Sequence, residues 1–168
     1  MEAQIMNDSP ITGGCQCGSV RYALDGPLGK ASICHCRMCQ KAFGSFFGPL
    51  VSVAADNFVL TRGELGVFRS SDAAERGFCR DCGTPLSFRF VNGEDFEVAI
   101  GSLDRPEQVR PVDQTGVEAR LPWFGELAGL PERRTEDSDQ PERLKLIASS
   151  NRQHPDHDTH DWKPGGGR

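Results

Sequence analysis

The sequence carries two short cysteine knuckles that lie far apart in the chain, Cys15-Gln16-Cys17-Gly18 and Cys79-Arg80-Asp81-Cys82-Gly83. A structural zinc ion takes four ligands in a closed tetrahedron, and two knuckles of this kind supply them. The glycine after each knuckle lets the backbone turn tightly beside a metal and aim amide hydrogens at the thiolate sulfurs. We therefore predict one structural zinc ion that joins two distant hairpins, with these ligands: Cys15, Cys17, Cys79 and Cys82.

The other three cysteines form a group of their own, Cys34-His35-Cys36-Arg37-Met38-Cys39. Three protein ligands and one open position are the arrangement of a catalytic zinc. Three thiolates over-compensate the charge of the ion, so such a site activates water only modestly. It is better suited to hold an incoming thiol as thiolate, a potent nucleophile at neutral pH. We predict a second zinc ion at this open site, and so two Zn²⁺ per chain, with these ligands: Cys34, Cys36 and Cys39.

Other interpretations of this second group stay open at this point. His35 could be a fourth ligand, but it lies between two candidate ligands, and a solvent-facing or hydrogen-bonding histidine is favoured. The three cysteines could also be a redox thiol set, or a disulfide with one spare thiol. An iron–sulfur cluster normally takes four cysteines, one more than this group supplies.

Composition limits the class of protein. The chain has 168 residues, enough for one domain with a core. Its net charge of −5 lacks the basic excess expected of a nucleic-acid binder. No apolar run approaches the roughly 20 residues that span a membrane, and the polar, acidic start does not resemble a signal peptide. We therefore expect a cytoplasmic protein with neither nucleic acid nor membrane as partner. A reducing cytoplasm disfavours disulfides, so the seven cysteines of the chain indicate metal binding.

From Gly13 to about Trp123 the chain is rich in short β-type runs separated by turn residues. Residues 19–24, 46–53, 85–90 and 96–100 are predicted strands, and Asn92-Gly93 favours a tight turn between the last two. Residues 58–60 and 66–70 flank Arg62-Gly63-Glu64 as the strands of a hairpin would. Helix is expected only in short pieces near residues 36–42 and 106–109. The pattern predicts a mainly β, antiparallel domain.

Both ends of the chain are expected to lie outside this domain. Residues 1–11 are predicted to be a flexible leader. Residues 131–168 are predicted to be a disordered polar tail, because they contain too few apolar residues to order themselves. The tail histidines, His154, His157 and His160, could bind a metal weakly, although a solvated polar tail is favoured.

Four stretches of the sequence resemble the glutathione-dependent formaldehyde-activating (GFA) family, which includes the centromere protein V-like proteins. They read GGCQCGSVRY (13–22), CHCRMCQKAFG (34–44), RGFCRDCGTPL (76–86) and GSLD (101–104). Their combination and order are specific, and the resemblance covers residues 12–130, which we expect to be a CENP-V/GFA zinc-binding domain. Residues 111–124 depart from the family, because they lack the histidine that it often carries there. The part from Glu118 to Phe124 resembles one branch of the family rather than the formaldehyde-activating type.

The resemblance implies a β-tent fold, in which two stacked antiparallel β layers are pinned by a zinc site of four cysteines. It assigns the same four cysteines to the structural zinc ion and the same three to the second. It also implies a carbon–sulfur lyase that joins glutathione to formaldehyde.

The functional hypothesis is a zinc-dependent enzyme that adds a thiol, glutathione or similar, to a small aldehyde such as formaldehyde, or catalyses the reverse. The substrate thiol would occupy the open position, where proximity could suffice without a dedicated base, so no catalytic residue is predicted beyond the zinc ligands. Ser45, Phe46 and Phe47 could line a pocket, or begin a core-facing strand. Arg37 and Lys41 could attract an anionic thiol, although exposed helix charges are favoured. The alternative function is a non-catalytic two-zinc binding or interaction module.

Overall fold

A computed structural model describes residues 10–137 and 139–163. Within them, ten strands and two α-helices are present. The strands are β1 (Ile11–Gly14), β2 (Arg21–Leu24), β3 (Ala31–Cys34), β4 (Gly48–Ala54), β5 (Phe58–Arg62), β6 (Gly66–Ser71), β7 (Ala74–Phe78), β8 (Pro85–Phe90), β9 (Asp95–Ala99) and β10 (Asp113–Thr115). The α-helices are α1 (Arg37–Phe43) and α2 (Pro141–Ser150), and short 3₁₀ turns include Pro106–Gln108, Val117–Ala119 and Pro122–Gly129. None of the described helices has the length and apolar content that crossing a membrane requires.

The strands form two sheets. The smaller has the order β1-β2-β5, and the larger has the order β10-β3-β4-β9-β8-β7-β6. Neighbouring strands are antiparallel throughout, except that β10 pairs with β3 in parallel. The prediction of a mainly β fold with two layers is therefore confirmed, with one short parallel pair at the edge of the larger sheet.

Two hairpins were predicted, and only one of them forms. β8 and β9 pair in antiparallel register across the Asn92-Gly93 turn. The prediction of a hairpin around Arg62-Gly63-Glu64 is wrong, because β5 pairs with β2 in the small sheet whereas β6 pairs with β7 in the large sheet. Gly63 has φ +68°, and a Cβ atom there would lie 2.0 Å from the Ser19 carbonyl oxygen. The chain thus passes from one sheet to the other at this glycine.

The apolar core lies between the sheets. Tyr22 and Leu24 enter it from the small sheet, and Val51, Leu86 and Val98 enter it from the large sheet. Burial of these side chains is the main apolar contribution to stability. The buried Tyr22 hydroxyl is paired with the Ser102 hydroxyl at 2.7 Å, as a buried phenol requires.

One buried cation connects the core to the C-terminal segment. Arg21 is 2% exposed and binds Asp104, with 2.7 Å from Nη1 to Oδ1, and also Asp158. Burial favours the neutral form of the Asp104 carboxyl, but hydrogen bonds from Arg21 and Thr12 outweigh it and lower the pKa of Asp104. The two carboxylates compensate a charge that burial alone would not permit.

The structure differs from the prediction of a disordered tail over residues 131–168. Residues 141–150 form α2, which has no buried residue, and residues 151–163 return to the Cys15–Cys17 loop. The His154 amide donates to the Gln16 carbonyl at 2.7 Å, and Trp162 Nε1 donates to the Cys17 carbonyl at 2.7 Å. This segment is ordered through polar partners elsewhere in the chain, which its own composition does not reveal. The predicted leader over residues 1–11 falls almost wholly on residues 1–9, which lie outside the described residues, as do residues 164–168.

His154 is the most deeply buried residue of this C-terminal segment, at 4% exposed. Its Nδ1 lies 2.7 Å from the Pro155 carbonyl oxygen, an acceptor, so Nδ1 carries the proton. Nε2 then accepts hydrogen bonds, and Arg62 Nη1 and the Thr159 hydroxyl both lie within reach of it, at 3.3 and 3.0 Å.

We expect His154→Ala to lower the free energy of unfolding by about 1–3 kcal/mol, because it leaves buried polar partners unpaired. His157→Ala is the matched control, since His157 is exposed in the same segment, and its effect should stay within about 0.5 kcal/mol. Urea unfolding of the full chain measures both. Equal stabilities for the two variants would mean that the segment does not pack as described.

Candidate functional site

The first cysteine cluster lies where the two sheets meet. Cys15 and Cys17 occupy the loop between β1 and β2, whereas Cys79 and Cys82 occupy the loop between β7 and β8. The four sulfur atoms lie within 4.8 Å of one another, so this cluster could hold a metal ion that bridges the small and the large sheet. Four sulfur donors in a closed group are compatible with zinc.

Hydrogen-bonding groups surround these sulfurs. The Val20 amide donates to Cys15 Sγ at 3.2 Å, and the Ser19 and Thr84 hydroxyls lie 3.2 and 3.1 Å from the Cys17 and Cys82 sulfurs. Burial opposes the thiolate of Cys82, but hydrogen bonds with Thr84 and Cys17 outweigh it and lower the pKa of Cys82 to about 6. Such donors orient metal-bound thiolates and stabilise their charge.

The second cluster lies where β3 passes into α1. Cys34 ends β3, Cys36 is the N-cap residue of α1, and Cys39 lies in the helix. Their sulfurs also lie within 4.8 Å of one another, so this trio could hold a metal ion. Cys39 is buried, whereas Cys34 and Cys36 are partly exposed. The trio therefore has an inner and an outer side, as an open metal site requires.

The two ends of the trio differ in electrostatics. Burial raises the pKa of Cys39 to about 12, against a hydrogen bond from Arg76 Nη2, which lies 3.5 Å from Cys39 Sγ. Burial also opposes the thiolate of Cys34, but hydrogen bonds with Thr115 and Cys36 prevail and lower the pKa of Cys34. A metal ion bound here would displace the remaining thiol protons.

His35 is fully buried and does not belong to either metal-capable group. Its Nε2 lies 3.0 Å from the Gln114 side-chain oxygen, and its ring makes edge contacts with Phe124 and Phe47 at centroid distances of 4.6 and 6.3 Å. Of the two favoured roles for His35, solvent-facing and hydrogen-bonding, the structure has the second. The ring thus joins β10 to the turn between β3 and α1, next to the trio in the chain.

An aromatic cluster adjoins the trio through His35. Phe46 and Phe47 contact each other, and both contact Phe124, while Phe46 also contacts the partly exposed Trp123 at 5.6 Å. The sequence pattern indicated Phe46 and Phe47 as candidate pocket residues but did not indicate Trp123 and Phe124. No local pattern indicated that Trp123 and Phe124 pack against the rings of Phe46 and Phe47.

Residues 113–119 form a cover along the trio. Gly116 has φ +61°, and a Cβ atom there would lie 2.7 Å from the Cys36 amide nitrogen. Gln40, buried in α1, donates to the His35 carbonyl at 2.6 Å and to the Ala119 carbonyl at 3.0 Å. The sequence did not point to Gln40, Gly116 or Arg76, although Arg76 precedes the second knuckle closely.

The remaining sequence candidates lie outside the two clusters. Arg37 and Lys41 are exposed on α1, and Arg37 donates to the Gln40 side chain. Ser45 is also exposed. In the part of the chain that the structure describes, none of the tail histidines joins a metal-capable group.

The sequence matches the family model of the glutathione-dependent formaldehyde-activating enzyme over residues 10–118. The chain belongs to this family. The match contains both cysteine clusters, the strands that carry them and the cover over the trio, and it stops within Val117–Ala119. The resemblance drawn from the sequence motifs is therefore confirmed.

This GFA-family chain is also similar to two curated proteins and to one solved structure. It is 34% identical over 83 residues to an uncharacterized lyase of Schizosaccharomyces pombe, and this match covers 49% of this chain and 60% of that protein. It is 33% identical over 97 residues to a putative glutathione-dependent formaldehyde-activating enzyme of Phaeosphaeria nodorum, covering 54% and 51%. The matched part thus spans little more than half of each relative. A crystal structure of a Rhodobacter sphaeroides protein, 24% identical, has the same fold, with a TM-score of 0.52 over 62% of this chain and all of that one.

The cover over the trio supplies a test with a matched control. Gly44 and Gly116 both have positive φ, but a Cβ atom at Gly44 meets nothing within 4 Å, whereas one at Gly116 meets the Cys36 backbone. We expect Gly44→Ala to cost about 1 kcal/mol of unfolding free energy from backbone conformation alone. Gly116→Ala should cost at least about 1 kcal/mol more, because the added methyl group overpacks the contact. Thermal or urea unfolding measures the difference, and equal losses would contradict the close approach of β10 to Cys36.

Proposed function

We propose that this chain binds two Zn²⁺ ions and catalyses addition of a thiol to a small aldehyde, or the reverse reaction, as a carbon–sulfur lyase. The observation that carries the proposal is the trio of Cys34, Cys36 and Cys39, whose three sulfurs converge while two of them stay partly exposed. Membership of the GFA family and the names of its relatives support a thiol such as glutathione and an aldehyde such as formaldehyde.

The closed cluster is proposed to have a structural role. Cys15, Cys17, Cys79 and Cys82 come from both sheets, and two of the four are buried. Each sulfur offers one ligand atom to a four-coordinate ion, which leaves no position for a substrate. The residues of this cluster fit zinc in donor type, in number and in their hydrogen-bonding partners.

Zn²⁺ held by the trio would supply a position at which a substrate thiol is kept as thiolate. The thiolate sulfur attacks the aldehyde carbon, a carbon–sulfur bond forms, and the carbonyl oxygen takes up a proton from solvent. Cys34 and Cys36 lie on the accessible side and leave room for the substrate. The aromatic rings that pack on His35, between Cys34 and Cys36 in the chain, are proposed to help exclude water from the reacting atoms.

Two further predictions rest on the sequence alone. They are a cytoplasmic location of the protein and a domain boundary near residue 130. A reducing compartment would keep the seven cysteines available for metal rather than for disulfides.

Metal analysis of single variants tests the division into two sites. The wild-type chain should hold two zinc ions. Cys82→Ala should unfold the protein, because structural zinc contributes folding free energy on the order of 10 kcal/mol in small metal domains, and zinc binding at both sites should be lost with the fold. Cys36→Ala should keep the fold and one zinc ion. If Cys36→Ala unfolds the chain as readily as Cys82→Ala does, the assignment of roles is wrong.

A panel of thiols and aldehydes tests catalysis. Exchange NMR on the zinc-loaded wild-type chain should detect faster formation and breakdown of the thiol–aldehyde adduct than in buffer. Cys36→Ala is the control, because it should retain the closed site and lose the acceleration. Two bound zinc ions without acceleration of any pair would instead favour a non-catalytic zinc module.

A further inference from the structure

Arg76 is a buried cation outside both cysteine clusters. It lies in the middle of β7 and is 8% exposed. Among the described residues, no carboxylate forms an ion pair with it, in contrast to the buried Arg21. The acidic neighbour Glu97 interacts with it electrostatically without reaching ion-pair distance. A buried charge needs compensation, and no carboxylate supplies it through direct contact, so the groups that touch the guanidinium matter.

The contacts of the guanidinium identify that partner. Nη2 lies 3.5 Å from Cys39 Sγ and donates to it. Cζ also lies 5.0 Å from the centre of the ring of Phe88, the residue opposite Arg76 on β8. The guanidinium thus contacts both an aromatic face and the buried Cys39 of the trio. Both contacts favour a fixed positive charge at this place.

A count of charges shows what this cation does. A divalent ion with three thiolates carries a net charge of −1, and a substrate thiolate would make it −2. Arg76 beside Cys39 makes the charge of the metal, the three thiolates and the guanidinium together one unit more positive at each stage, 0 before the thiolate binds and −1 afterwards, with Glu97 left out of the sum. In a partly buried site such a difference changes ligand affinity considerably.

We propose that Arg76 is a positioning residue of the open site, whose buried charge lets the cysteine trio accept an anionic sulfur as the fourth ligand. The inference rests on the proposed function and deepens it, because it names the charge of the ligand that the site selects. When the substrate thiol binds, its proton leaves to solvent and the sulfur stays as thiolate. A neutral ligand gains much less from the same cation.

Cobalt(II) in place of zinc gives an optical readout that is independent of turnover. The probes are 2-mercaptoethanol, which has no carboxylate that Arg76 could attract directly, and imidazole, a neutral ligand. Thiolate binding to cobalt-loaded protein is followed by the rise in sulfur-to-cobalt charge-transfer absorbance, and imidazole binding by the change in the visible bands. The variants are Arg76→Gln, which keeps a donor but loses the charge, and Arg76→Lys, which keeps the charge. Arg89→Gln is the control, because Arg89 is an exposed residue paired with Glu75 on the adjacent strand.

We expect Arg76→Gln to weaken 2-mercaptoethanol binding by about tenfold or more, and imidazole binding by less than about twofold. Arg76→Lys should stay within about threefold of wild type for both ligands, and Arg89→Gln should match wild type. Equal losses of both ligands in Arg76→Gln would overturn the proposal, since they would indicate a packing role. If Arg76→Gln fails to load cobalt at the trio, Arg76→Lys decides: a tenfold weaker thiol affinity there also overturns it.

The two levels of the proposal fail in different ways. If cobalt-loaded wild-type protein binds no thiol, the proposed function is wrong and the role of Arg76 falls with it. If wild type binds the thiol and Arg76→Gln binds it equally well, only the role of Arg76 is wrong.

Discussion

The convergence of four cysteine sulfurs between two sheets is the constraint on which the rest of the structure depends. The small sheet consists of three strands of four or five residues, too few to bury a large surface alone. Its attachment to the large sheet rests on the shared core around Tyr22 and on the cluster formed by the two knuckles. A tetrahedral metal would fix the distance and angle between the sheets, which apolar contacts alone define less sharply.

The two cysteine clusters use the same chemistry in different surroundings. The closed cluster is wrapped by the β1–β2 loop, by Thr84 and by the C-terminal segment that carries Trp162. The trio has Arg76 beside its buried member, Cys39, whereas Cys34 and Cys36 are partly exposed residues. A fourth cysteine completes the first site, whereas a buried cation stands beside the second. This contrast is the basis of the proposal that one site holds a permanent metal ion and the other an exchangeable anionic ligand.

Polar contacts distant in sequence reinforce both sites. Arg21 joins β2 to Asp104 and to Asp158, and His154 closes over the first knuckle. Gln40 attaches the Val117–Ala119 turn to α1, and His35 attaches β10 to the turn between β3 and α1. Each of these side chains is buried and has at least one polar partner, so the loss of that partner would leave an uncompensated polar group inside the protein. The rigidity that a metal site needs thus comes from hydrogen bonds as much as from the apolar core.

The sequence by itself determined the cysteine groups, most strands, the short helix after Cys36 and the family, because these depend on spacing and local alternation. Strand partners could not be read locally, and Gly63 marks a crossing between sheets where a hairpin was expected. Only the tertiary structure decided that Arg76 lies against Cys39 and that residues 151–163 pack on the first knuckle. Those contacts join residues dozens of positions apart, and their energies depend on burial and charge compensation. Neither quantity exists until the chain has folded.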